Sequence, residues 1–364
     1  MSVRQQRWDI FCRVVDNYGD IGVCWRLARQ LAHEHGRELR LWVDDLTVAA
    51  KLVPGLRVDA ENQQIDGIKV RAWQPAFVVD DVAEVVIEAF ACELPDPYLH
   101  AMAMRSTAPV WINLDYLTAE TWTQGFHLQP SPHPRWPLRK TFYFPGFDAD
   151  TGGLLREQDL FTRRDTCQVS AEIRRSAALR ISLFCYPHAP IAALLQSMAD
   201  SPRAVHCLVP ESSILPQIAA FFGLPALHAG ERRQQGALTL DILPFLTQDD
   251  YDQLLWSCDL NFVRGEDSWI RALWAAKPFI WQPYRQQDAL HLVKLQAFLV
   301  RYQADAVLEQ LHAAWVAGPW QTQAWQAVVE RLPSLQTQAK QHCAQLAELP
   351  DLAAKLVIFC ENFS

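Results

Sequence analysis

Residues Trp8–Ala32 read WDIFCRVVDNYGDIGVCWRLARQLA. The opening run, WDIFCRVV, has the length and apolar content of a strand. From Ile21 onward, Ile21, Trp25, Ala28, Leu31 and Ala32 share one face of a helix. Between the two lies a short loop with two acids, Asp16 and Asp20, and two glycines, Gly19 and Gly22. Strand, tight loop and helix make the first half of a βαβ unit. In open sheets of this kind, ligands gather beyond the carboxyl ends of the strands, where this loop falls. The dinucleotide pattern GxGxxG is absent, and two carboxylates repel a pyrophosphate. They suit a cation, or a proton to be removed. The same residues also read as a plain helix start, with Asp20 as the N-cap and Asp16 as a turn residue.

The rhythm continues outward from that stretch. ELRLWVDD (38–45), KVRAW (69–73), DVAEVVIEAF (81–90) and PVWINLDYL (109–117) predict strands, and PDPYLHAMAMR (95–105) predicts a short helix. Alternation of this sort implies a mostly parallel sheet covered by helices. It stops at LQPSPHPRWPLRKTFYFPGFDADTGGLLRE (128–157), dense in proline, glycine and aromatics. This stretch is too apolar for a disordered linker and is expected to be a long ordered loop between domains, lying over a cleft. A second series follows: LRISLFCY (179–186), AVHCLVP (204–210) and LTLDILPF (238–245) as strands, with APIAALLQSMA (189–199) as a helix. TQDDYDQLLWSCD (247–259) starts as a helix should, with Thr247 as N-cap and acids in the first turn. From about Gln323 the chain is helical, broken at Pro333 and Pro350. The expected architecture is two Rossmann-like α/β domains, 1–172 and 173–344. The segment 345–364 is expected to be a helix packed back on the first.

Composition narrows the function. With 33 basic against 41 acidic residues, a net charge of −8 disfavours direct nucleic-acid binding and accommodates a basic protein partner. No run of 18 apolar residues predicts a membrane span, and no signal-like segment precedes the first strand. Nine cysteines without a CxxC pair fit a reducing, cytoplasmic setting. His127 and His133, in HLQPSPHP, match no metal-ligand spacing. No metal and no cofactor are expected.

Chemistry in the second half has a different sign. In VRGEDSWIRALW (263–274), Gly265 permits a tight turn and a helix begins near Ser268. Backbone N–H groups and the Ser268 hydroxyl can receive a phosphate there, Arg264 or Arg271 can add charge, and Glu266 can bind sugar or ribose hydroxyls. An ordinary capped helix explains the same residues. In FCYPHAP, Tyr186 can bond a phosphate and Phe184 can pack on a base, although aromatics at a strand end are commonly core. Gln286, Gln287 and Asp288 offer polar groups in QPYRQQDALH, where His291 reads as a helix residue. A second domain that receives anions and a first that supplies carboxylates divide the work of a two-domain GT-B glycosyltransferase.

At DIFCRVVDNYGDIGVCWRLARQLA, PSPHP, FPGF…TGGLLRE, FCY and RGEDSWIRALWAAKPFIWQ the chain closely resembles the bacterial elongation factor P arginine rhamnosyltransferase family, EarP. The matches run in order from about Trp8 to Leu295, with local departures such as Asp115 and the QPYRQQDALH loop. The resemblance implies a GT-B fold whose two domains face across a cleft. It also implies inverting transfer of rhamnose from dTDP-β-L-rhamnose to one arginine of elongation factor P. That modification activates the factor for relieving ribosomes stalled at polyproline. Carried over by motif, Asp20 is the general base and Asp16 its partner, with Glu266 a third catalytic group. Tyr18, Gly19, Phe184, Tyr186, Gln248, Tyr251, Arg264, Gly265, Asp267, Ser268 and Gln286 belong to the donor site. None of these roles follows from spacing. The competing readings are a different nucleotide-sugar enzyme on the same fold and a non-catalytic adaptor that binds a translation factor.

Overall fold

A computed structural model describes residues 6–16, 18–73, 79, 81–167 and 177–363. The chain forms two compact units, 1–158 with 348–364, and 159–347. The expected boundary at 172/173 lies outside the described residues, and the described chain leaves the first unit after Gln158.

Among the described residues, the first unit holds an eight-stranded sheet in the order β3-β4-β2-β1-β5-β6-β8-β7. Its strands are β1 (Arg7–Cys12), β2 (Glu38–Val43), β3 (Asn62–Ile65), β4 (Ile68–Ala72), β5 (Val85–Ala89), β6 (Val110–Leu114), β7 (Pro130–Pro132) and β8 (Arg139–Tyr143). Only the β3–β4 and β7–β8 pairs are antiparallel. The parallel strands follow the doubly wound order, with the order of addition reversing between β1 and β5. The stretch expected to be one long loop at 128–157 therefore contributes two strands. Its prolines do not forbid this, because Pro130 and Pro132 fall on the edge strand β7, where a missing N–H is tolerated.

Trp8 through Cys12 are fully buried because β1 lies mid-sheet with helices on both faces. Asp9 is buried with them and receives Nε and Nη2 of Arg40, each at 2.5 Å, and the Tyr98 hydroxyl. The three groups tie β1, β2 and the helix Asp96–Ala103 together through a polar contact inside an aromatic cluster. Helix α1 (Gly19–His33) is buried on more than the face its apolar spacing marks. The reason is a second cover. The helix Leu352–Glu361 returns to the first unit, and Gln30 Nε2 donates to Arg156 O (2.7 Å) and to Asp351 Oδ1 (3.0 Å).

The second unit holds β9 (Leu179–Leu183), β10 (Val205–Pro210), β11 (Arg232–Gln235), β12 (Leu238–Leu243), β13 (Leu260–Arg264) and β14 (Phe279–Gln282). They are ordered β11-β12-β10-β9-β13-β14 among the described residues. Here the reversal falls between β9 and β13. The helix Gln248–Ser257 starts as predicted, with the Thr247 hydroxyl accepting from Asp250 N. Trp315 and Trp325 fill the core beside Phe262, and all cysteines except Cys167 are buried.

One core contact makes this unit acid-sensitive. His312 is buried, accepts from Trp281 N at Nε2 (3.0 Å) and faces Leu308 O with Nδ1 (2.8 Å). Burial holds it to about 4, against 6.5 for an ordinary histidine. The native state needs the neutral ring, so its stabilisation is complete above pH 6.5 and is lost as pH falls toward 4. Going from pH 7 to pH 5 should cost about 2 kcal/mol through this residue. Urea unfolding of His312→Gln should show a smaller pH dependence than the parent over that interval. An equal dependence would remove His312 from the account.

Candidate active site

The loop between β1 and α1 stands at the reversal point of the first sheet. Asp20 is the second residue of α1, not its N-cap; Tyr18 takes that position without a side-chain cap bond. The Asp20 carboxylate instead turns back and folds the loop onto itself. Its Oδ2 accepts from Val15 N (2.7 Å) and Asp16 N (2.8 Å), and its Oδ1 accepts from the Tyr116 hydroxyl (3.1 Å). Only 2% of Asp20 is exposed. That burial raises its pKa above the usual carboxylate value, opposed by the backbone bonds and the Tyr116 bond and assisted by the charge of Asp44. Asp16, half-buried, closes a turn through its carbonyl, which accepts from Gly19 N (2.7 Å). Gly19 leaves room for the Asp16 carboxylate: a Cβ there would lie 2.9 Å from Oδ2. Tyr18 meets Lys51 Nζ through its hydroxyl at 3.5 Å.

The second unit gathers its polar groups at the corresponding reversal. The Arg264 guanidinium lies over the rings of Phe184 (4.4 Å) and Tyr186 (4.7 Å). No carboxylate pairs with it among the described residues, although it is 7% exposed. Tyr251 is buried edge-on to Phe184 at 5.5 Å, and burial raises its phenol far above the ordinary value. Gly265 carries φ 59°, which glycine adopts at no cost. Its N–H donates to Gln282 O (3.1 Å), and its carbonyl accepts from Trp281 Nε1 (2.7 Å). Glu266 occupies the N-cap position of the helix Asp267–Trp274, half-buried and without a capping bond from its side chain. Gln248 Nε2 donates to Asp267 Oδ2 at 3.4 Å. Gln286 is half-buried before a short 3-10 turn, Gln287–Ala289, and His291 follows within a helix as expected.

Two sequence-level roles change. Arg271 is not available to an anion: it is buried in a bidentate pair with Asp252 (3.0 and 2.6 Å), which leaves Arg264 as the cation. The Ser268 hydroxyl closes the turn, accepting from Arg264 N (3.0 Å) and donating to Arg264 O. The hydroxyl is thus committed to the loop at the helix start. His127 and His133 are spent on backbone N–H groups of Phe144, Arg135 and Trp136. Sequence reasoning passed over Tyr116 and Gln282. The latter accepts from Tyr186 N through Oε1 (2.8 Å) and so fixes the ring that faces Arg264. Both stand at or just past strand ends, a position that marks them in hindsight. Among the described residues no group of three or more His, Cys, Asp or Glu could hold a metal, and no helix is long and apolar enough to cross a membrane.

Two doubly wound units, each with its polar groups at the sheet reversal, define a glycosyltransferase of the GT-B class. MurG of Acinetobacter baumannii shares this fold at a TM-score of 0.53 and 12% identity, covering 98% of this chain and 99% of its own. The chain belongs to the EarP family, described as elongation factor P (EF-P) rhamnosyltransferase, whose model matches residues 8–361. A protein-arginine rhamnosyltransferase of Pseudomonas putida is 48% identical over 372 residues, 98% of either chain. The structure behind EarP-mediated arginine glycosylation of translation elongation factor EF-P is 37% identical. It superposes at a TM-score of 0.69 over 98% of this chain and 99% of that one.

Proposed function

We propose that this enzyme transfers rhamnose from dTDP-β-L-rhamnose to one arginine of elongation factor P, inverting the anomeric centre, in the cytoplasm and without a metal or cofactor. The product factor then relieves ribosomes stalled at polyproline. The observation that carries the chemistry is Asp20, a buried carboxylate with raised basicity and one oxygen saturated by backbone N–H groups.

Arginine is a poor nucleophile because its guanidinium is delocalised and its pKa exceeds ~12. Asp16 and Asp20 grip it and break its symmetry. Asp20 Oδ1 takes the Nη proton as the C1–N bond forms and the C1–O bond breaks. The electron pair leaves with the thymidine diphosphate. Its growing charge is met by Arg264 and by the N–H groups at the start of the Asp267–Trp274 helix. Phe184, Tyr186 and Tyr251 line the base or phosphate side of the donor, with Gln248, Gln286, Asp267 and the Gly265 turn. Glu266 binds sugar hydroxyls, and Tyr18 and Gly19 approach the donor from the carboxylate loop. No nucleic acid and no membrane takes part.

Mixing the protein, dTDP-β-L-rhamnose and elongation factor P should add one deoxyhexose mass to an arginine of the acceptor, with the α-anomer seen by NMR. Binding of both substrates without added mass would overturn the assignment.

A further inference from the structure

The backbone just after β6 is clamped from both sides. Phe90 N donates to Leu114 O (2.7 Å), and Asp115 N donates to Tyr143 O (2.9 Å). Phe90, Ala91 and Glu93 all hold left-handed φ, at 56°, 51° and 57°. Side-chain residues rarely adopt that conformation, and such runs persist only where the surroundings enforce them. The outcome here is a parallel stack of Phe90 on Tyr116, centroids 4.4 Å apart and planes 15° apart. The stack fixes the phenol so that its hydroxyl meets Asp20 Oδ1 at 3.1 Å. Oδ2 is already taken by two backbone donors. Oδ1 is thus the oxygen left to receive a proton, and Tyr116 occupies one side of it.

We propose that Tyr116, held by the strained loop at Phe90, is a positioning residue that orients Asp20 Oδ1 and keeps it ionised for the incoming guanidinium. This rests on Asp20 being the base. The hydroxyl stabilises the charged carboxylate and claims one lone pair of Oδ1, so the arginine N–H must approach the other. A donor to the ionised form favours that form. Tyr116 therefore counteracts burial and the neighbouring Asp44, which both press Asp20 toward protonation. The Cys12 thiol on β1 also lies within electrostatic reach of Asp20.

The test is the pH–rate profile of four proteins with a saturating donor. Tyr116→Phe keeps the ring and its stack but removes the donor. Its acid limb should move up by about one pH unit, leaving the alkaline plateau within a few-fold of the parent and donor affinity unchanged. Phe90→Leu keeps the hydroxyl and loses the stack, and its limb should move the same way by less. Asp20→Asn should be roughly a thousandfold slower at every pH. If Asp20→Asn shows that loss yet Tyr116→Phe titrates like the parent, the positioning role is wrong and the base assignment stands. If Asp20→Asn turns over normally, both fall. A Tyr116→Phe protein that is merely slower at every pH, with an unmoved limb, likewise overturns the inference.

Discussion

Asp20→Asn is expected to lower kcat roughly a thousandfold and to leave donor affinity within about twofold, the scale of a lost general base. The geometry makes this a clean replacement. Val15 N and Asp16 N both point at Oδ2, so the amide must place its oxygen there and its NH2 group where Oδ1 was. The Tyr116 hydroxyl can accept from that NH2, and the loop keeps its fold. What disappears is the lone pair that takes the proton, and an N–H now confronts a cationic arginine. Turnover is read by the mass of the acceptor, and donor binding by calorimetry. Activity within tenfold of the parent would mean that another group removes the proton.

Arg264→Met is the second large effect. The guanidinium stacks on Phe184 and Tyr186, and methionine keeps much of that apolar contact while deleting the charge. Charge on the leaving diphosphate grows in the transition state. A fixed cation should therefore matter more to kcat than to donor affinity. Loss of one such group costs about 10²–10³ in kcat elsewhere, and a similar loss is expected here. Arg264→Lys should recover only part, since an ammonium supplies the charge without the planar fork. An unchanged kcat for Arg264→Met would move the leaving-group stabilisation to the helix start alone.

Both units were legible in the amino-acid pattern, for a physical reason. A strand buried on both faces is largely apolar, and WDIFC, VVIEA and LRISL come near that pattern, their few buried polar residues finding partners as Asp9 does in Arg40. The 128–157 stretch misled because proline density normally signals a loop, whereas an edge strand tolerates it. The crossing of the chain after Gln158 left no trace, since the helix Leu160–Thr166 reads alike in either unit. At the site, the residue types were visible but their partners were not. Arg264 and Arg271 are equivalent in the sequence. Only the fold shows that Asp252, one turn into a neighbouring helix, claims the second of them. Tyr116 was invisible as a positioning group because its relation to Asp20 spans 96 residues.

The helix Leu352–Glu361 belongs to the first unit yet follows the whole of the second. During synthesis, then, α1 emerges early and waits. The surface that Gln30 and Arg156 present stays uncovered until Leu349 and Asp351 leave the ribosome. The far end of α1, where Gln30 sits, is consequently covered last, after the trailing unit has left the ribosome. A nascent chain halted just after Ala347 carries the whole trailing unit and a leading unit that still lacks its closing helix.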